Sequence, residues 1–145
     1  MDMLISNSPE ATVRLGEEWG RTVPSGTVIG LSGDLGAGKT QLVRGIARGL
    51  GSAARVHSPT FALLNEYTDG RLRLYHLDLY RLGGPDDICA AGLAEFLGTP
   101  PGVAVVEWYD RWEAGGGQVP ARLRRVWIEI RTEHERLIRH ADTGA

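Results

Sequence analysis

Lysine is almost absent from this chain: of its sixteen basic residues fifteen are arginine, and Lys39 is the only lysine. Cysteine is scarcer still than a disulfide framework needs. Cys89 stands alone, which excludes an internal disulfide and any cysteine-cluster metal site. No apolar run approaches the ~20 residues that span a bilayer, and no membrane partner is expected. The segment from Met1 to Glu10 has no basic stretch leading into an apolar one, so it does not read as a secretory signal. A cytoplasmic protein is expected. Charge of one sign is not in excess either. The net charge is −2, which leaves no broad footprint for direct nucleic-acid binding. Arg122, Arg124 and Arg125 do cluster, and such a trio reads as solvated surface.

What is present is ordinary for a globular chain: 42% apolar and 23% charged residues in 145, enough for a single domain over 1–145 with a real core. Ser8 and Pro9 have the form of an N-cap and a first helical residue. Ala11, Leu15 and Trp19 follow at spacing four, as one apolar helix face. Thr27 to Leu31 is β-branched and apolar, suited to a strand buried on both faces. Leu42, Val43, Ile46, Ala47 and Leu50 then recur at helical spacing, and Gly51 suits a left-handed cap. Phe61 to Tyr67 and Leu72 to Asp78 read as a hairpin around Thr68-Asp69-Gly70-Arg71. Pro85 opens another helix, with Asp86 and Asp87 in its first turn and Ile88, Leu93, Phe96 and Leu97 as its apolar residues. Val103 to Val106 is a buried strand ending in Glu107, and Val126 to Ile130 is a last core strand. Trp108 and Trp112 read as exposed, belonging to an interface or covering the sheet edge. Strands and helices interleave, so the expected class is α/β: a P-loop NTPase-type, mainly parallel sheet flanked by helices, with the hairpin as an antiparallel addition.

Gly33-Asp34-Leu35-Gly36-Ala37-Gly38-Lys39-Thr40 fits the phosphate-loop pattern at every required position, with a buried strand before it and an amphipathic helix after it. The glycines let successive N–H groups point into one concavity, a nest for anions at a helix N-terminus. Lys39 would reach the β- and γ-phosphates, and the Thr40 hydroxyl would bind magnesium. The solitary lysine agrees with this, because a narrow phosphate-lined loop favours a compact ammonium over a planar guanidinium. A magnesium site of this kind needs few protein oxygens beside water and phosphate. Glu107, at the carboxyl edge of the sheet, is placed to supply one; as a residue it reads equally well as an ordinary strand-end glutamate.

In His76-Leu77-Asp78-Leu79-Tyr80-Arg81 an extended chain puts His76, Asp78 and Tyr80 on one face and Leu77 and Leu79 on the other. The polar face could position a water or bind metal-linked water, although the pattern by itself favours a half-buried strand. Ser58-Pro59-Thr60-Phe61 is either a plain turn or a loop in which Thr60 senses the γ-phosphate. There is no Asn-Lys-x-Asp, no Leu-Ser-Gly-Gly and no protein-kinase motif set, so guanine selectivity of the usual GTPase kind, a transporter ATPase and a protein kinase are unsupported.

Together these segments, with Val106-Glu107-Trp108, occur in the order found in the bacterial TsaE (YjeE-like) family, which the chain resembles over nearly its whole length. Members are ATPases of tRNA threonylcarbamoyladenosine biosynthesis. The resemblance implies that Leu35 to Thr40 bind ATP, that Thr40 and Glu107 hold magnesium, that Asp78 is important for hydrolysis and that Thr60 lies in a nucleotide-responsive loop. It also implies the partners TsaD and TsaB, which with a separate threonylcarbamoyl-adenylate synthase modify adenosine 37, so that tRNA is met only through the complex. Nucleotide contact is extended to Arg136, and base contacts to Ser8 through Glu10. Tyr109 departs from the pattern, standing where the family often has a small residue or proline. Two other readings remain open: a small-molecule or nucleoside kinase, for which 145 residues leave little room for a lid and an acceptor pocket, and a non-hydrolysing adaptor gated by nucleotide.

Overall fold

The wholly apolar runs of the sequence lie side by side at the centre of one mixed sheet. The computed structural model describes residues 1–33, 38–59 and 63–144. Its strands are β1 (Asp2–Ser6), β2 (Thr27–Gly33), β3 (Leu64–Tyr67), β4 (Leu74–Asp78), β5 (Val103–Glu107), β6 (Arg122–Ile130) and β7 (Arg136–Gly144). The helices are α1 (Pro9–Thr22), α2 (Lys39–Gly49), α3 (Pro85–Ala90) and α4 (Asp110–Glu113). The sheet order is β1-β7-β6-β2-β5-β4-β3. Neighbours among β6, β2, β5 and β4 are parallel, and this parallel core carries the expected class. Helices cover both faces of that core. One apolar cluster joins α1 and α2 to the sheet through Leu42, Ile46, Ile29 and Val105. The other joins Ile88, Leu97 and Trp112 to Val28, Leu77 and Val106.

The expected hairpin is present, with β3 antiparallel to β4; Phe61 lies outside the described residues. The antiparallel part is larger than the hairpin. β6 starts at Arg122 rather than Val126, β7 returns beside it, and β1 closes that edge by pairing with β7. Neither β1 nor β7 was read from the sequence. Their alternation is carried by few apolar residues: Leu4 and Ile138 pack inward, while Met3 and Ile5 are exposed.

Helix α1 begins as the sequence indicates, the Ser8 side chain accepting from the Ala11 N–H. Its buried stripe, however, is Thr12, Gly16, Trp19 and Gly20, with Ala11 and Leu15 only half-buried. The reason is the closeness of α2. A Cβ on Gly16 or Gly20 would strike the α2 backbone at Leu42 and Ile46, and one on Gly45 or Gly49 would strike α1 at Val13 and Glu17. Small residues, not apolar bulk, define this contact. Helix α2 buries Leu42, Val43, Ile46 and Ala47 as expected, with Leu50 buried at its C-cap, and Gly51 just beyond has φ 87°, the left-handed conformation that closes a helix. Helix α3 is shorter than the apolar spacing suggested. Its cap is Ala91, Gly92 turns left-handed at φ 79°, and a separate 3-10 turn, Ala94–Leu97, carries the remaining apolar residues.

The arginine trio is not one patch. Arg124 binds Asp142 through two hydrogen bonds of 2.7 and 2.8 Å and lies 4.7 Å over the Trp19 ring. Arg125, on the opposite face by strand alternation, pairs with Glu113. Trp112 is buried and donates its indole N–H to the Gln118 carbonyl, so it covers the sheet rather than facing solvent. Among the described residues no helix is long and apolar enough to cross a membrane.

Candidate functional site

The parallel strands end together, and their carboxyl ends gather the polar residues that the sequence singled out. At the end of β2, Gly33 has φ 148°, and a Cβ there would collide with the Ile128 carbonyl on β6. Gly38, φ 102°, precedes the first turn of α2 and leaves that helix end without a side-chain cap. A left-handed residue is needed there, and glycine adopts it without a Cβ penalty. The uncapped N–H groups of α2 point outward with the positive end of the helix dipole, a ready site for anions.

Lys39 is the first residue of α2, and its ammonium lies at the same place. It is 5% exposed and donates to the Gly33 carbonyl at 2.6 Å. Trp108 covers it, with Nζ 4.0 Å from the ring centroid. Trp108 has φ 58°, rare for a bulky residue and a sign of a backbone held by its surroundings. The Tyr109 N–H, bound to the Leu31 carbonyl at 3.1 Å, fixes the chain directly after that turn. The Tyr80 ring stands 4.9 Å from Trp108, and the Arg111 guanidinium 5.4 Å from it.

Lys39, Thr40, Ser58, Asp78, Glu107 and Trp108 line one cavity of about 510 Å³. The Thr40 and Ser58 hydroxyls are 3.1 Å apart, which ties the Ser58-Pro59 segment to the start of α2. Asp78 ends β4 opposite Glu107 at the end of β5. One Asp78 oxygen accepts the Tyr80 N–H at 2.9 Å. Burial pushes the Asp78 carboxyl above the usual carboxylate range, and nearby Glu107 adds to the shift while the Tyr80 N–H opposes it. Glu107 is 4% exposed and His76 fully buried, and Nε2 of His76 lies 2.5 Å from Glu107 Oε2. The expected shared face of His76 and Asp78 is present, but Tyr80 lies beyond β4 and is 45% exposed. The carboxylate–imidazole pair was not foreseen. Its one sequence signal is that His76 and Glu107 stand on strands whose apolar character predicts adjacent, buried positions.

Arg136 is not in this cavity. It lines a second one of about 300 Å³, with Ser8, Pro9, Thr12 and His134. The two cavities share Gly38 and Gln41 and so adjoin across the N-terminus of α2. Arg136 also braces its own loop, donating to the Thr132 and Glu135 carbonyls at 3.0 and 3.1 Å. Asp34, Leu35, Gly36, Ala37 and Thr60, which the sequence assigned to nucleotide contact, lie outside the described residues.

The donor set suits magnesium, since the Thr40 hydroxyl and the Glu107 carboxylate are hard oxygens lining the same cavity. The described residues hold no cluster of three or more His, Cys, Asp or Glu that would form a closed metal cage, and magnesium bound to a nucleotide needs none.

Comparison with known proteins gives a consistent picture. A family model described as threonylcarbamoyl adenosine biosynthesis protein TsaE matches residues 6–140. The tRNA threonylcarbamoyladenosine biosynthesis protein TsaE of Bacillus subtilis is 38% identical over 137 residues, 94% of this chain and 83% of that protein. Its namesake from Nostoc sp. is 49% identical over 105 residues, 70% of this chain and 64% of that protein. The match thus spans just under two thirds of the Nostoc protein's length. The crystal structure of Bacillus subtilis YdiB superposes with a TM-score of 0.75 at 31% identity, covering 99% of this chain and 86% of that one.

Proposed function

The chain belongs to the TsaE family, and from that premise we propose that it is a magnesium-dependent ATPase supporting threonylcarbamoyl modification of tRNA adenosine 37 together with TsaD and TsaB. One observation carries the reading: Lys39, Thr40, Asp78 and Glu107, remote in sequence, line a single cavity at the start of a helix preceded by a glycine-rich loop.

In this proposal the polyphosphate lies against the N-terminus of α2, and the nucleoside reaches toward the adjoining cavity beside Ser8 and Arg136. Lys39 has three rotatable donors, so it can hold the Gly33 carbonyl while donating to phosphate oxygens, where it balances the charge that gathers on the transferred group. Magnesium, held by the Thr40 hydroxyl and Glu107, would neutralise the β- and γ-phosphate oxygens when bound. Asp78 accepts a hydrogen bond from the attacking water and aims it at the γ-phosphorus. The bond from that phosphorus to the bridging oxygen breaks, yielding ADP and inorganic phosphate. Trp108, over the ammonium, limits water at Lys39, and a drier surrounding strengthens its pull on phosphate. Hydrolysis is slow in the isolated chain and coupled to the partner proteins.

The test is reconstitution with TsaD, TsaB, the threonylcarbamoyl-adenylate synthase and an ANN-reading tRNA, scored for both modified adenosine and released phosphate. The proposal requires multiple rounds of modification that depend on this chain and on ATP hydrolysis. Equal modification without the chain, or with only a non-hydrolysable analogue, would contradict it.

A further inference from the structure

We propose that His76 is a positioning residue for the magnesium carboxylate: its Nε2–H holds Oε2 of Glu107, so that the second carboxylate oxygen, Oε1, is presented to the metal. The proposal rests on the reading of Glu107 as a magnesium ligand.

His76 is fully buried in the middle of β4, in a run whose flanking residues Leu74, Tyr75 and Leu77 are packed core. A leucine there would suit the core better, since a buried polar group costs stability unless it is fully satisfied. His76 is only half satisfied. Nε2 meets Glu107 at 2.5 Å, while Nδ1 is buried with no hydrogen-bond partner among the described residues. A residue kept at a cost to the core, with one contact, acts through that contact.

The same geometry places the proton. Carriage on Nδ1 would leave a buried N–H donor without an acceptor, the rarest kind of unsatisfied group. The pairing therefore uses the Nε2–H as donor and the Glu107 oxygen as acceptor.

Glu107 needs such a hold. It ends β5 just before the strained turn at Trp108, and a glutamate has three side-chain torsions to fix. Across the parallel β4–β5 pair His76 is in register with Val105, two residues before Glu107 and on the same face by alternation. From there its Nε2 reaches Oε2 of Glu107. Outer partners of this kind orient a metal ligand, and their loss characteristically lowers metal affinity about 10–100-fold.

The experiment uses the full chain in three variants, His76→Leu, His76→Gln and Glu107→Gln. Manganese binding to the ATP complex is titrated by electron paramagnetic resonance, and ATP binding in EDTA is measured separately by calorimetry. Glutamine can put an amide N–H near the place of Nε2, whereas leucine cannot. His76→Leu is expected to bind ATP in EDTA as the wild type does, yet to weaken manganese binding about tenfold or more, with His76→Gln recovering most of the loss. Unchanged manganese affinity in His76→Leu, with a loss in Glu107→Gln, overturns the positioning role alone. Unchanged affinity in both overturns the underlying assignment of Glu107 as well. Where His76→Leu does not fold, His76→Asn replaces it, because its shorter amide cannot reach Oε2. Equal manganese affinities for the asparagine and glutamine variants overturn the proposal.

Discussion

The ammonium of Lys39 donates to the carbonyl of Gly33 at 2.6 Å, so the first residue of α2 is clamped to the last residue of β2 across the loop between them. This contact fixes the mouth of the loop from both ends. In the proposed function it also accounts for a lysine at this position in a chain that otherwise uses arginine, because a compact ammonium can hold the Gly33 carbonyl and a phosphate together where a wide, rigid guanidinium cannot.

Asp78 and Glu107 end neighbouring strands in register, and in the proposed function their tasks differ. Replacing Asp78 with Asn keeps the shape and the local packing but weakens the acceptor that orients water. Nucleotide affinity should stay within about threefold of wild type, while single-turnover phosphate release falls about 10²–10⁴-fold. Release at the wild-type rate would remove Asp78 from the mechanism.

Tyr109 fills space that Gly30 leaves open. A Cβ on Gly30 would run into the Tyr109 ring, and Tyr109 is 2% exposed. The bulky residue after Trp108 is thus accommodated by the absence of a side chain on β2. Gly30→Ala should destabilise the fold by about 1–3 kcal/mol through overpacking, measured by chemical denaturation. In a Tyr109→Ala background the same change should cost much less. Additive effects would mean that the two positions are not coupled.

The Tyr109 phenol also gives a pH dependence of known sign. Burial, with the Glu113 charge adding to it, pushes its pKa up to about 12, above the value of about 10 for the unfolded chain. The folded protein therefore keeps a proton that the unfolded chain has lost. This contribution to stability is complete below about pH 10 and declines as the pH rises toward 12. Denaturation midpoints of Tyr109→Phe should fall less steeply than those of wild type over that interval. Parallel slopes would show that Tyr109 ionises equally in both states.

The centre of the parallel core was legible because β2 and β5 are predominantly apolar runs and α2 carries the 3.6-residue spacing; Leu42, Val43 and Ile46 are buried where that spacing puts them. β1 and β7 were not legible. They lie at and beside the sheet edge, where one face stays wet, and residues such as Arg139 and Met3 give no clear period. The burial of Gly16 and Gly20 also escaped a reading based on apolar bulk, since close backbone approach selects for the lack of a side chain. In the site, the phosphate-loop pattern singled out Lys39 and Thr40 and the family resemblance Asp78 and Glu107, whereas pairing of His76 with Glu107 depends on two strands becoming neighbours. Arg136 was assigned to the nucleotide without a position, and it lines the adjoining cavity rather than the one around Lys39.

In the proposed function a polyphosphate is held at the start of α2 by the ammonium of Lys39. Calorimetric titration of magnesium–ATP into the wild-type chain and into Lys39→Ala tests it most directly, with circular dichroism to verify that both are folded. One bound nucleotide per wild-type chain is expected, with at least about a hundredfold weaker binding in Lys39→Ala from the loss of charge-assisted hydrogen bonds to phosphate. Equal affinity in the two proteins would contradict it.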